Sequence, residues 1–260
     1  FALGWDVLAV KLREQCPGIK IKVIWHGGHA MNIEWYDWEM FKIIFSLLES
    51  NTLNSIAFVK KSMYDFYKNK GYSVEFIYNT IHFTNLDVDK KDNKHLNIGI
   101  YASGDRWVKN FYNQLSAASM FEKAKIDVIP LTLKTKQFAK IIKAFVVGME
   151  TSVSREKLLN RMANNDINFY VTFSECSPII PLESLELGVP CITSNNHHYW
   201  EGTELEKYLI VNENDNVLKI YEKAKLCLEN KDKIIALYKK WKKEYDKISE
   251  NSIKKFLEID

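Results

Sequence analysis

Short apolar runs alternate with longer amphipathic stretches through most of the chain, and this alternation predicts strands joined by helices. Ile19–Trp25 reads as a strand that runs into His26-Gly27-Gly28-His29. Tyr36–Leu48 reads as a helix, Ser55–Val59 as a short strand, and Lys61–Lys70 as a helix stopped by Gly71. Val74–Tyr78 is a further strand, ending at Asn79. The stretch Asp87–Lys94 is charged and nearly free of apolar residues, so it reads as a linker. A second series follows: strand Leu96–Tyr101, helix Trp107–Ala124, strand Ile126–Leu131, helix Lys136–Lys143, strand Ala144–Val147 and helix Ser154–Asn164. Strand Ile167–Phe173 leads through a polar turn into a short helix, and Val189–Thr193 is the strand after it. Tyr208–Val211 is a last short strand, with helices expected over Val217–Asn230, Lys231–Tyr245 and Ser252–Leu257.

Strands alternating with helices imply parallel sheets, because a parallel neighbour can only be reached by a crossover. The linker divides the pattern in two. Residues 1–88 form a short first domain and 95–245 a larger second one; 246–260 is a C-terminal helix able to pack back on the first.

Bulk properties narrow the class. A hydrophobic content of 47% with 27% charged residues is that of a globular protein with a sizeable core. With 36 basic and 33 acidic residues, the charge is too balanced to point to nucleic acid. The start, Phe1-Ala2-Leu3-Gly4-Trp5-Asp6, resembles neither a signal peptide nor a natural beginning, so a fragment is the expectation. Cys16, Cys176, Cys191 and Cys227 form no Cys-x-x-Cys pair, which argues for free thiols in a reducing cytosol rather than for zinc.

The densest chemistry lies in residues 174–194. Glu175 and Glu183 stand eight positions apart. Pro181 suits a first helical turn, Gly188 a left-handed stop, and Pro190 blocks continuation. Glu183 therefore falls in the first turn of a short helix, where a carboxylate complements the dipole or accepts from two neighbouring hydroxyls, as with a ribose. Backbone N–H groups around Ile179–Leu182 would face an anion at the helix start. Arg106 and Lys109 open the helix after the second block's first strand, and two cations there can hold a diphosphate. The His26-Gly27-Gly28-His29 loop combines close backbone approach with a histidine suited to acid–base work. His197-His198 with Glu201 is weak as a metal site, lacking a helix to set the spacing. Lys231–Lys243 is basic and amphipathic. Such a stretch either meets an anionic membrane surface or, more commonly, packs its apolar stripe on a core.

These residues resemble the retaining glycosyltransferases of the GT-B fold, family 4 in particular. The family signature is Glu, seven residues, Glu, and a small-residue helix closing in Gly-x-Pro. Here it reads Glu175, Glu183 and Gly188-Val189-Pro190, followed by strand Cys191-Ile192-Thr193-Ser194. Phe76–His82 looks like the segment that closes the family's N-terminal domain, and His26-Gly27 like its histidine loop facing the donor sugar. The resemblance implies an α/β fold of two Rossmann-like parallel-sheet domains, the N-terminal one shortened or truncated. It implies transfer of a sugar from a nucleotide-sugar donor to an acceptor hydroxyl with retention at the anomeric carbon. Arg106 and Lys109 would bind the diphosphate, Glu183 the ribose and Glu175 the transferred sugar. Ser177 and Leu182 would complete the donor contacts, and His26 would lie near the reacting carbon.

The family works without a bound metal or cofactor. The acceptor would be a glycan, a lipid-linked molecule or a protein, met in the cytoplasm or at a membrane's inner face through a peripheral contact. Cys176-Ser177-Pro178 departs from the Gly-Phe-Gly that the family commonly carries after its first Glu. Two other readings fit the same residues: a non-catalytic GT-B module that binds glycan or supports a partner glycosyltransferase, and a nucleotide-sugar epimerase.

Overall fold

The computed structural model describes residues 4–33, 35–82, 88, 95–101 and 106–259. The expected linker, apart from Val88, lies outside the described residues, as do Ala102–Asp105 ahead of Arg106. The chain divides into two units, one of Phe1–Asn79, Glu175–Ser177 and Tyr245–Asp260, the other of Thr80–Ser174 and Pro178–Glu244.

The first unit runs α1 (Trp5–Gln15), β1 (Lys22–Trp25), α2 (Trp35–Glu49), β2 (Ser55–Phe58), α3 (Lys61–Asn69) and β3 (Val74–Phe76). Its three strands are parallel in the order β1-β2-β3, with Lys22 opposite Ser55 and Ile56 opposite Val74. The central strand is buried on both faces. Ile56 and Phe58 join Trp25, Phe41, Ile44 and Met63 on one side. Ala57 and Val59 meet Ile77 and Phe256 on the other. That explains why β2 is a continuous apolar run rather than an alternating one. Gly71, at φ +84°, takes the left-handed turn that ends α3, as its position in the sequence predicts. Helix α1 was not expected from the pattern. It buries Ala9 but turns Val7 and Leu8 outward, 52% and 57% exposed, so its apolar residues do not mark one face.

The second unit begins with β4 (Asn97–Tyr101), a 3-10 turn (Trp107–Lys109), α4 (Phe111–Ser119), β5 (Lys125–Ile129), α5 (Leu133–Ile141) and β6 (Phe145–Gly148). It continues through α6 (Arg155–Ala163), β7 (Ile167–Tyr170), α7 (Ile180–Glu186), β8 (Cys191–Ser194), α8 (Glu204–Leu209), β9 (Ile210–Val211) and α9 (Val217–Glu229); the last helix, α10 (Lys231–Leu257), counts with the second unit as far as Glu244 and with the first from Tyr245. All six strands are parallel in the order β6-β5-β4-β7-β8-β9. The order reverses between β4 and β7, which are neighbours. In an open parallel sheet that reversal opens a crevice at the strands' carboxyl ends, where ligands bind.

Expected elements differ in three places. The strand expected over Tyr208–Val211 is reduced to Ile210–Val211, because Tyr208 and Leu209 end the helix α8. The helix expected over Trp107–Ala124 is interrupted at Asn110, which sits at φ 51° and separates the 3-10 turn from α4. Asparagine tolerates that left-handed conformation, and here its Nδ2 also donates to Val171 O at 3.0 Å and to Asn214 O. The two helices expected over Lys231–Tyr245 and Ser252–Leu257 are one, α10. The serines that look like breakers serve the end of β3 instead. Ser249 Oγ donates to Tyr78 O, and Ser252 Oγ accepts from Tyr78 N at 3.2 Å. The apolar stripe of α10 is committed to packing, with Ile234, Tyr238, Tyr245 and Phe256 all buried.

Candidate functional site

The 3-10 turn Trp107–Lys109 and the residues that follow β7 lie side by side at the switch point. Phe173 N donates to Val108 O at 2.8 Å, and Gln114 bridges them, its Oε1 accepting from Val171 N at 2.8 Å and its Nε2 donating to Lys109 O at 2.8 Å. This buried amide clamp fixes the backbone of Lys109. Its side chain is also buried; Nζ donates to Tyr170 OH at 3.1 Å and lies 5.5 Å from the centre of that ring. Lys109 is thus held at the carboxyl end of β7. Arg106 is exposed, just ahead of the 3-10 turn, beside a cavity of about 230 Å³ lined also by Trp107, Asn110 and Phe173. Arg106 and Lys109 therefore do not open the helix as expected, because a 3-10 turn stands there ahead of α4.

Helix α7 starts where the sequence predicts. Pro181 is at its second position, where a missing N–H costs nothing, and Gly188 adopts φ 76° after its end. Leu182 is fully buried and contributes to the core; its carbonyl accepts from Tyr238 OH at 3.4 Å. Ser184 pins the helix to the sheet. Its Oγ accepts from Asn168 Nδ2 at 2.8 Å and donates to Val189 O at 2.7 Å. Asn168 belongs to a buried chain of polar groups. Asn165 Nδ2 donates to Asn168 Oδ1 at 2.8 Å and to Tyr101 OH at 2.7 Å, and Tyr101 OH donates to Asp127 Oδ2 at 2.8 Å. Arg161 Nε closes the chain on Asp127 at 3.0 Å. A fully satisfied network of this kind specifies one arrangement, because any slip leaves buried groups unpaired. It fixes the helix that carries Glu183.

Glu183 itself is buried, and Arg155 at the start of α6 reaches it. Nε and Nη2 both meet Oε1, at 3.0 and 2.9 Å. Sequence reasoning missed Arg155. Nothing local links positions 28 apart, and a Ser154 cap followed by a charged residue is ordinary. Asn168 left a visible signal, an amide inside an otherwise apolar strand.

In the first unit, His26 and His29 follow β1, and Lys60 follows β2. Lys60 Nζ donates to Glu175 O, and Cys176 Sγ to His26 O at 3.0 Å. Cys176 packs against the Ala57–Val59–Ile77–Phe256 cluster, and Ser177 is buried. The Cys-Ser-Pro departure is therefore a packed turn in which the thiol acts as a small apolar filler, and burial holds that thiol above its usual range. The sequence motif is thereby shared out: Glu175 and Ser177 count with the first unit, Leu182 and Glu183 with the second. Burial pulls Lys60 below the usual ammonium range, opposed by Cys176 and Glu175.

His26 is lowered from 6.5 chiefly by burial. Its ring is thus neutral at pH 7. Because the folded state disfavours the proton, its contribution to stability is complete above pH 6.5 and is lost as pH falls through the lower folded value. An NMR titration of the His26 ring should give a midpoint below 6.5, absent in His26→Asn; a midpoint at or above 6.5 would contradict the burial.

Among the described residues, no group of three or more His, Cys, Asp or Glu side chains could hold a metal ion. His197 instead donates to or accepts from Thr193 Oγ1 at 3.0 Å and stands edge-on to Trp200 in an aromatic cluster. Among the described residues, no helix is long and apolar enough to cross a membrane.

No family model matches the sequence, and no curated protein does. Solved structures do match. Sucrose-phosphate synthase from Thermosynechococcus elongatus is 12% identical at a TM-score of 0.69, over 94% of this chain and 67% of that one. A trehalose-6-phosphate protein from E. coli, bound with UDP-2-fluoro glucose, is 11% identical at 0.71, over 97% of this chain and 70% of its own. WaaG, a glycosyltransferase involved in lipopolysaccharide biosynthesis, is 12% identical at 0.65, over 96% of this chain and 80% of its own.

The fold is GT-B. At these identities the likeness is one of architecture. In GT-B terms, the second unit is a six-stranded Rossmann-like sheet, and the first has three strands among the described residues. The expected fold class of two Rossmann-like parallel sheets is the one observed.

Proposed function

We infer that the protein transfers a sugar from a nucleotide-sugar donor to an acceptor hydroxyl, with retention at the anomeric carbon. The observation that carries this reading is the buried Glu183 carboxylate in the first turn of α7, at the carboxyl edge of a parallel sheet whose switch point also holds buried Lys109. A carboxylate there can accept from both ribose hydroxyls, and a cation there can bind the diphosphate. A GT-B neighbour bound with UDP-2-fluoro glucose supports a donor of that class.

In this reading Lys109, helped by Arg106, neutralises charge as the bond from the anomeric carbon to the diphosphate oxygen breaks. The acceptor oxygen bonds to that carbon on the same face, and its proton passes to the departing diphosphate. Glu175 contacts the transferred sugar, Ser177 and the backbone at Leu182 add donor contacts, and neutral His26 faces the reacting carbon. The acceptor is a glycan, a lipid-linked molecule or a protein in the cytoplasm.

Calorimetry with UDP, GDP and ADP tests the donor half; binding to none of them would sink the reading. Incubation with nucleotide-sugars then separates its rivals. Interconversion of free donor marks an epimerase, and binding without turnover marks a non-catalytic module. Lys109→Met keeps the length of the buried side chain but removes its charge. Turnover should fall by about 100-fold or more, and further than donor affinity does, because the charge matters most on the departing group. Unchanged turnover would remove Lys109 from the mechanism.

A further inference from the structure

The pairing of Arg155 with Glu183 has an unusual form. Arginine and carboxylate commonly meet fork to fork, each nitrogen on its own oxygen. Here Nε at 3.0 Å and Nη2 at 2.9 Å both reach Oε1. Nε donates the hydrogen bond to Oε1 and Nη2 makes its ion-pair contact with the same oxygen; among the described residues no hydrogen bond ends on Oε2, which is left to accept. The partners are also unequal. The Glu183 side chain is 6% exposed, that of Arg155 61%. A guanidinium so largely in water adds little to stability through its charge. What one hydrogen bond and one ion-pair contact on the same oxygen do achieve is orientation. The last torsion of a glutamate is broad and roughly two-fold, and a two-point hold on one oxygen fixes its plane.

We propose that Arg155 is a positioning residue for the nucleotide: it holds the Glu183 carboxylate with Oε2 presented to a ribose hydroxyl. This rests on the reading of Glu183 as the ribose anchor. The gain is preorganisation. A buried acceptor already aimed at its hydroxyl loses less freedom when the ligand arrives. Arg155 opens α6, whose Ser154 cap accepts from Lys157 N at 3.3 Å, so the arginine is delivered from an anchored helix end. Neither Arg155 nor its helix belongs to the Glu-x7-Glu motif. The preorganisation is therefore a product of the fold.

The test uses whichever of UDP, GDP and ADP binds the wild-type protein, together with its 2′-deoxy and 3′-deoxy counterparts. Arg155→Ala should weaken the ribonucleotide about tenfold, within the range for removing a partner that orients a ligating group. It should leave the affinity of at least one deoxy counterpart within about twofold of wild type, because the hydroxyl that Glu183 meets is gone. Arg155→Lys keeps the charge without the two-point hold and should recover less than half of the loss on a logarithmic scale. Equal losses for the ribonucleotide and both deoxynucleotides would overturn the proposal and make Arg155 a direct phosphate or base contact. No loss in either variant would overturn it as well. A wild-type protein that binds none of the three nucleotides fails differently: it removes the ribose role of Glu183 itself. Melting curves of both variants show whether the fold is kept.

Discussion

Glu183→Ala is expected to reduce affinity for the bound nucleoside diphosphate by about 10- to 100-fold, since a hydrogen bond to a charged acceptor at about 1.5–3 kcal/mol is lost. The variant is a clean one for a structural reason. The partner left behind is Arg155, which is 61% exposed and can return to water, so no buried charge is stranded. The helix keeps its other anchors, Ser184 on Asn168 and Val189, and Leu182 and Leu185 in the core. Stability should therefore move by no more than about 1 kcal/mol. Calorimetry for affinity and a denaturant melt for stability check both halves. Retained binding would end the ribose assignment; lost binding with a collapsed melt would make Glu183 a structural residue. Glu183→Gln, which keeps the shape and weakens the acceptor, should fall between wild type and alanine.

The largest stability effect is expected from Gly99→Ala. Gly99 lies in β4, buried at every position, and a Cβ there would fall 2.1 Å from Asn168 Oδ1 and 2.3 Å from Asn165 Nδ2. Neither amide can swing aside cheaply. Asn165 is bonded to Tyr101 and Asn168, and Asn168 to Ser184 and Met162 O. Moving either one breaks buried hydrogen bonds and leaves unpaired groups at about 1–3 kcal/mol apiece. With overpacking added, a loss of about 3 kcal/mol or more is expected, read as a lower denaturant midpoint at unchanged slope. Asn168→Ala removes one clashing atom. The double variant should then be less destabilised than the two single losses summed, and additivity would show that the clash lies elsewhere. Because Asn168 also pins the helix carrying Glu183, Gly99→Ala should weaken nucleotide binding too, though no ligand would touch Gly99.

Several elements were legible because their signals are local. The helix α7 was readable from Pro181 and Gly188, and α3 from its amphipathic run ending in Gly71, because φ restriction and left-handed stops act within a turn. The inner strands β2, β4, β7 and β8 were readable because parallel strands buried on two faces are largely apolar runs. The break at Asn110 was not. Its left-handed conformation rests on carbonyls of Val171 and Asn214, which only the folded chain brings near. The continuity of α10 through Ser249 and Ser252 was likewise hidden, since the backbone of Tyr78 employs both side chains.

By itself, the sequence determined the alternation of strands and helices, the parallel class, and the residue types at the candidate site. Each depends on spacing along the chain, and spacing is what hydrophobic period and backbone restriction encode. Tertiary structure alone decided which of those residues are prepared for chemistry. It placed Lys109 against Tyr170, tied α7 to β7 through Ser184 and Asn168, and set Arg155 on one oxygen of Glu183. These are contacts between residues far apart in sequence, made in a low-dielectric interior where orientation and satisfaction of every polar group outweigh local preference. No local pattern records them.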